Sequence, residues 1–292
     1  MITPSAPLPT RVWAYLLERF PPAAYTVLVG LFAASAFVLA GRETGTYVPI
    51  DRAAVAAGVV LLVFLHLRLM DEHKDHASDA QAYPERCLSR GVVTLPLLAR
   101  MGWVAVAAEG VLATYLSPPA LTSWAVCLGF TVLMRFEFGV GAWLSRHILV
   151  YAVTHNPIVG LLAYFLWTVA GGSVGPVLAG YLGAVTLGSL AFEIGRKVRL
   201  PHEEIDGIES YSSVLGKRRA DVLIVGLRFA AGLCILGLAM TLESPLLGGL
   251  VVAIQVAIGG VLLSAPRRAK VTEGVATMGL LLDFIAVTVM AW

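Results

Sequence analysis

The sequence predicts an all-α integral membrane protein of about nine transmembrane helices, and three observations predict it. Of its 292 residues, 58% are hydrophobic and only 14% charged, whereas a soluble globular domain carries roughly 25% charged residues. Mean hydropathy is +0.81, an apolar excess that one soluble core cannot enclose and that lipid must cover. The apolar stretches run for about 18–25 residues without alternation, the length of a helical span rather than of a barrel strand. A bilayer offers backbone groups no water, so helices and closed barrels are the only spanning solutions.

Read between charged residues and Pro or Gly punctuation, the spans fall at about 14–40, 51–70, 92–116, 119–138, 142–170, 175–198, 218–242, 246–265 and 271–291. The first is interrupted by Pro21–Pro22, and the fifth carries His155–Asn156–Pro157 in mid-span, where a kink is expected. The N-terminal segment through Arg11 and Arg19 lacks the short basic region and apolar run of a cleavable signal peptide, so none is expected. Cys87, Cys127 and Cys234 are scattered without CxxC spacing, which argues against a disulfide framework or a zinc site. A net charge of +2 gives no reason to expect a nucleic-acid partner. The chain reads as a single membrane-embedded domain over residues 1–292.

The distribution of basic residues sets the expected orientation, because loops rich in Lys and Arg stay cytoplasmic. Arg68, Lys74, Arg86, Arg90, Arg135, Arg146, Arg196, Lys197, Arg199, Lys217, Arg218, Arg219, Arg267, Arg268 and Lys270 all fall at one side of the predicted bundle, and Arg42 and Arg52 at the other. The N-terminus and the two longest polar loops, about 71–91 and 193–216, are therefore expected in the cytoplasm. These loops follow the second and sixth spans, a spacing that hints at a four-helix unit used twice.

The first loop begins RLMDEHKDHASDAQAYPERCLSRG. If the helix continues past Met70, Asp71, Asp75 and Asp79 stack on one face at i, i+4 and i+8, with Glu72 beside them. Like charges so spaced repel by a few tenths of a kcal/mol per pair, on the order of 0.2–0.5, and something cationic must compensate. A hard divalent cation suits the pattern, since Mg²⁺ is held by one or two carboxylates, water and substrate phosphate. A solvated acidic helix end would give the same string. The second loop, FEIGRKVRLPHEEIDGIESYSSVLG, mixes Arg196, Lys197 and Arg199 with Glu193, Glu203, Glu204, Asp206 and Glu209. Carboxylates for metal and basic donors for phosphate lie side by side there, although a stretch attracted to anionic lipid head groups would also look like this.

At these residues the chain resembles the UbiA superfamily of intramembrane prenyltransferases, whose first motif is N-D-x-x-D-x-x-x-D followed by a segment like R-P-L-x-S-G. Asp75 and Asp79 match it outright, Asp71 stands where Asn is usual and Glu72 where Asp is usual, and Arg86-Cys87-Leu88-Ser89-Arg90-Gly91 follows. Gly207-Ile208-Glu209-Ser210 and Gly216 resemble the segment after the second motif, but its D-x-x-x-D is absent, leaving Glu193, Glu203, Glu204 and Asp206 as substitutes. The resemblance implies nine helices around a central cavity and a Mg²⁺-dependent enzyme. It would move a prenyl group from a prenyl diphosphate to an aromatic or other lipophilic acceptor through an allylic carbocation. It further implies Asp71, Glu72, Asp75 and Asp79 as catalytic metal ligands, joined by Glu193, Glu203 and Asp206. Arg68, Arg86, Arg146, Arg196 and Lys197 are the diphosphate donors expected beside them. A terpene cyclase ionising the same substrate without an acceptor would read identically. A cation transporter would instead place matched ionisable sites near mid-membrane in two halves.

Ionisable residues inside the spans cost about 2.5–3.5 kcal/mol to insert at the membrane centre. Glu109, Glu137 and Asp283 are the carboxylates so placed. Glu137 is expected to pair with Arg135, and Asp283 to bond a neighbouring helix. His147 and His155 are candidates to hold an acceptor or serve as a base, with packing around Pro157 as the alternative. Phe64, Tyr151, Tyr164, Phe165 and Trp167 offer π faces, and packing explains aromatics in spans equally well.

Overall fold

A computed structural model of the chain describes residues 2–205, 208–264 and 269–292. Asp206, Gly207, Arg267 and Arg268, which entered the sequence reading, lie outside the described residues. The helices run in order α1 Leu8–Arg19, α2 Pro22–Thr44, α3 Ile50–Lys74, α4 His76–Ala82, α5 Leu95–Leu116, α6 Pro118–Arg135, α7 Gly141–Leu144, α8 Ile148–His155, α9 Pro157–Val169, α10 Pro176–Gly195, α11 Tyr211–Leu215, α12 Lys217–Thr241, α13 Pro245–Ser264 and α14 Ala269–Ala291.

Among the described residues, α2, α3, α5, the α8–α9 pair, α10, α12, α13 and α14 are long and apolar enough to cross a membrane. The 18-residue α6 packs between α5 and α9 and completes a set of nine. The protein is a multi-pass membrane protein. Each spanning element packs on the next in chain order, and α14 packs back on α2 to close the ring.

Local chemistry sets the breaks. Pro22 opens α2 after Phe20 leaves helical geometry (φ −146°, ψ 63°). The predicted first span at 14–40 is thereby corrected to a separate 12-residue helix α1, about 18 Å long and too short to cross, followed by α2. The helix predicted over 142–170 is in fact a short turn, α7, and then α8 and α9, which meet at Asn156 because Pro157 has no N–H to continue the ladder. Ser117 alone joins α5 to α6, and its hydroxyl accepts the Ala120 N–H at 3.2 Å as an N-cap. Gly45 ends α2 in the left-handed region (φ +71°), returning its N–H to Gly41 O.

Apolar faces cannot drive helices together in lipid, so close packing and buried polar bonds hold the ring. A Cβ on Gly259 of α13 would stand 2.8 Å from Val225 of α12, so glycine sets how near those helices come. Trp167 and Tyr181 are fully buried between α9 and α10, and the Tyr181 hydroxyl meets Ser35 of α2 at 2.8 Å. The carboxylates found by sequence also have partners. Glu109 of α5 is held by His66 Nδ1 of α3 at 2.6 Å and by the indole N–H of Trp124 on α6 at 3.0 Å. Asp283 of α14 meets Arg228 of α12 at 2.7 Å, and both bond Gln255 of α13. The hydrogen bond expected of Asp283 is therefore present, but to an arginine in a span that the sequence reading had passed over.

Candidate active site

The last turn of α3 carries Asp71, Glu72 and Lys74 and ends on Asp75 (φ −96°, ψ 6°), after which α4 restarts at His76. The unbroken helix expected to stack Asp71, Asp75 and Asp79 stops at Asp75, and the acids separate into two groups.

Glu72 and Asp79 form the first group. Glu72 is 3% exposed and accepts from Arg19 Nε at 2.7 Å and Arg68 Nη2 at 2.7 Å. Asp79 accepts from Arg86 at 2.5 Å and from the same Arg19 at 3.4 Å. Burial works against the charge on Arg19, yet the bond to Glu72 and the field of Asp79 hold its guanidinium above the ordinary range. Helix α1 is pinned here further: Arg11 Nε donates to Val92 O at 2.6 Å, and Glu18 accepts the Cys87 N–H at 3.0 Å. Arg86 also lies over the Tyr83 ring, 3.4 Å from its centroid, and the Tyr83 hydroxyl accepts from Arg199 Nη2 at 2.9 Å. The two polar loops thus join through Arg199, Tyr83, Arg86 and Asp79.

Asp71 and Asp75 form the second group. Among the described residues neither carboxylate enters an ion pair or a side-chain hydrogen bond, and both side chains remain accessible. Asp71 lies within electrostatic range of Asp75, Arg196, Lys74 and Lys197. Burial pushes the Asp75 carboxyl above the usual carboxylate range, opposed by Lys74 and reinforced by Asp79. A nearby cation would reverse that shift.

Lys74 closes one side of this group. Its ammonium meets Tyr151 of α8 and Glu137 at 2.5 Å each, so Glu137 pairs with Lys74 and not with the expected Arg135. Glu137 and Phe138 make the 3₁₀ turn after α6 with φ of +49° and +54°, unusual values for residues bearing a Cβ and held in place by surrounding contacts. Tyr151 stacks on His155 with ring centroids 3.9 Å apart. A small cavity is lined by Leu67, Met70, Asp71, Lys74, Met134, Arg135, Tyr151 and His155.

The opposite side comes from the end of α10 and the second loop. Both oxygens of Glu193 are taken, by Arg196 Nε at 2.6 Å and Lys197 Nζ at 2.8 Å. Glu203 accepts the Leu200 N–H at 3.0 Å, and Glu204 accepts the Ser210 and Ser212 hydroxyls at 2.7 and 2.9 Å. Of the expected diphosphate donors, Arg68 and Arg86 are bound to carboxylates, Arg146 is exposed in the turn between α7 and α8, and Arg196 and Lys197 are paired with Glu193 within electrostatic range of Asp71.

Asp71 and Asp75, four positions apart and outside any ion pair among the described residues, are of the donor type that a hard cation takes. Among the described residues no group of three or more His, Cys, Asp or Glu side chains converges as a metal site; Glu193, Glu203 and Glu204 Oε1 have other partners, while Glu204 Oε2 is buried without one. Sequence reading missed the parts played by Arg19, Tyr83 and Tyr151, whose partners lie far off in the chain and leave no local spacing to detect.

No model of a protein family matches the sequence, and no curated protein matches it. Solved structures match the fold. The chain is similar to the apo structure of a UbiA homologue from Aeropyrum pernix K1, with a TM-score of 0.69 at 16% identity over 91% of this chain and 96% of that one. It is also similar to a digeranylgeranylglyceryl phosphate synthase, with a TM-score of 0.62 at 15% identity over 97% of this chain and 99% of that one. The fold is UbiA-like, in agreement with the resemblance seen at Asp71–Asp79.

Proposed function

We propose that this protein is a Mg²⁺-dependent prenyltransferase, moving a prenyl group from a prenyl diphosphate to an aromatic or other lipophilic acceptor. The observation that carries the reading is the pair of carboxylates, Asp71 and Asp75, which enter no ion pair among the described residues and stand within electrostatic range of Arg196 and Lys197, at the polar end of a UbiA-like ring of apolar helices. Carboxylates outside any ion pair, beside basic side chains that keep donors in excess of those spent on Glu193, suit a diphosphate bridged by a divalent cation. The cation, when bound, neutralises charge developing on the leaving diphosphate.

The chain's own residues do the remaining work. Asp71 and Asp75 orient the diphosphate end, and Arg196 and Lys197 donate hydrogen bonds to its oxygens. The isoprenoid tail runs among apolar side chains of the ring, where water cannot quench the carbocation left when the C–O bond breaks. Lys74, fixed by Tyr151 and Glu137, keeps a positive charge beside the departing group. The basic loops and the N-terminus face the cytoplasm in this reading, by the charge asymmetry.

The test is incubation of purified protein with geranyl, farnesyl and geranylgeranyl diphosphates and Mg²⁺, with and without aromatic acceptors, followed by mass spectrometry. A prenylated acceptor establishes the transferase and identifies its donor. A cyclised product without acceptor replaces transfer with cyclisation, and no diphosphate release from any donor removes the enzymatic reading.

A further inference from the structure

The second polar loop carries cations where the resemblance leads one to expect metal-binding acids. Glu193, at the end of α10, has no free carboxylate oxygen: Arg196 Nε holds Oε2 at 2.6 Å and Lys197 Nζ holds Oε1 at 2.8 Å. A divalent ion at Glu193 would stand beside both cations and be repelled by them, because the triad as a whole is positively charged. Glu203 Oε2 accepts a backbone N–H and Glu204 Oε1 accepts two serine hydroxyls, while Glu204 Oε2 is buried with no hydrogen-bond partner among the described residues. The Arg196 side chain is 42% exposed and that of Lys197 36%, and both lie within electrostatic range of Asp71. Only Nε of Arg196 is used on Glu193, and among the described residues its two Nη groups and the other ammonium protons of Lys197 have no acceptor.

We propose that this site takes a single divalent cation, and that Arg196 and Lys197, anchored by Glu193, grip the diphosphate directly in the place of a second one. The inference rests on the diphosphate reading above and adds the division of labour. Asp71 and Asp75 work through metal, and the α10 end works through a planar guanidinium fork and an ammonium point charge, both suited to phosphate oxygens. Glu193 is then a positioning residue, since it touches the two cations and not the ligand. A carboxylate that restrains both side chains lowers the entropy lost when they bind.

The experiment uses the full chain in detergent or nanodiscs, with Mn²⁺ as a paramagnetic stand-in for Mg²⁺ and inorganic diphosphate as the anion. Bound Mn²⁺ is counted by electron paramagnetic resonance, and diphosphate binding by calorimetry. One Mn²⁺ per chain is expected. Arg196→Gln and Lys197→Gln should each weaken diphosphate binding at least tenfold without changing the Mn²⁺ count, while Asp75→Asn should lose the Mn²⁺. Glu193→Gln, which frees the cations without removing them, should leave the Mn²⁺ count at one and retain diphosphate binding within a few-fold. Two Mn²⁺ per chain, or loss of one Mn²⁺ in Glu193→Gln, would overturn the inference while leaving diphosphate binding intact. No diphosphate binding by folded wild-type protein, with or without Mn²⁺, would overturn this inference and the enzymatic reading together. Each variant's thermal unfolding is measured alongside, so a folding defect is seen as such.

Discussion

Arg228 and Asp283 face each other at 2.7 Å in the middle of two apolar helices, each side chain 3% exposed. Arg228 also donates to Gly279 O at 2.5 Å and to Gln255 at 3.1 Å, so the pair on α12 and α14 ties in α13 and joins three helices in all. Removing one partner strands a buried charge, which costs about 3–5 kcal/mol, whereas replacing a whole buried pair with apolar side chains of similar volume is often neutral or stabilising. Asp283→Ala and Arg228→Ala should therefore each lower the unfolding temperature strongly, and Arg228→Met with Asp283→Leu should recover most of the loss. Thermal unfolding in detergent checks this. Equal losses in the single and double variants would show that the pair itself supplies the stability.

The acids of the first loop are expected to separate by phenotype. Asp71→Asn and Asp75→Asn should each reduce Mg²⁺-stimulated diphosphate release at least 100-fold with little change in unfolding temperature. Glu72→Gln, which weakens the anchor for Arg19 and Arg68, should do the reverse and destabilise the fold. Diphosphate release and unfolding curves measured on the same preparations decide the matter. A Glu72→Gln protein that is fully stable yet inactive would move Glu72 back among the metal ligands.

Chelation provides a complementary check. Treatment with EDTA should stop diphosphate release, and added Mg²⁺ should restore it in proportion to occupancy. Release that continues after exhaustive chelation would remove the cation from the mechanism.

Cys87 is 5% exposed, and burial, with Glu18 adding to it, pushes its thiol up to about 11. The nucleophilic thiolate is therefore scarce at neutral pH. Iodoacetamide at pH 7.5 should leave Cys87 unmodified in folded protein and alkylate it after denaturation, as read by peptide mass spectrometry. Rapid labelling of the native protein would show that α1 does not stay closed over it.

Orientation can be tested in a cysteine-free background. Ser78→Cys, on exposed α4, and Thr46→Cys, in the exposed turn between α2 and α3, should lie on opposite sides of the membrane. An impermeant maleimide should label Cys at position 46 in intact cells and at position 78 only after permeabilisation. The opposite result would invert the topology.

Composition and the lengths of apolar runs determined by themselves that this is a helical membrane protein, and Pro21–Pro22 and Pro157 determined two of its breaks. These are local properties: a proline without an N–H acts wherever it stands, and about twenty apolar residues need lipid whatever they pack against. The acid-rich string at Asp71–Asp79 and the basic and acidic mixture at Glu193–Asp206 were also legible, because charge beside a span is conspicuous. Which acids are free was decided only by tertiary structure. Glu72 and Asp79 fit the expected spacing as well as Asp75 does, and what sets them apart is Arg19, 53 and 60 positions away from them in the chain. Lys74 and Tyr151, 77 positions apart, and Arg228 and Asp283, 55 apart, follow the same logic. A charge takes its role from whichever counter-charge the packing of the ring brings within about 3 Å, and no reading of spacing along one segment can supply that partner.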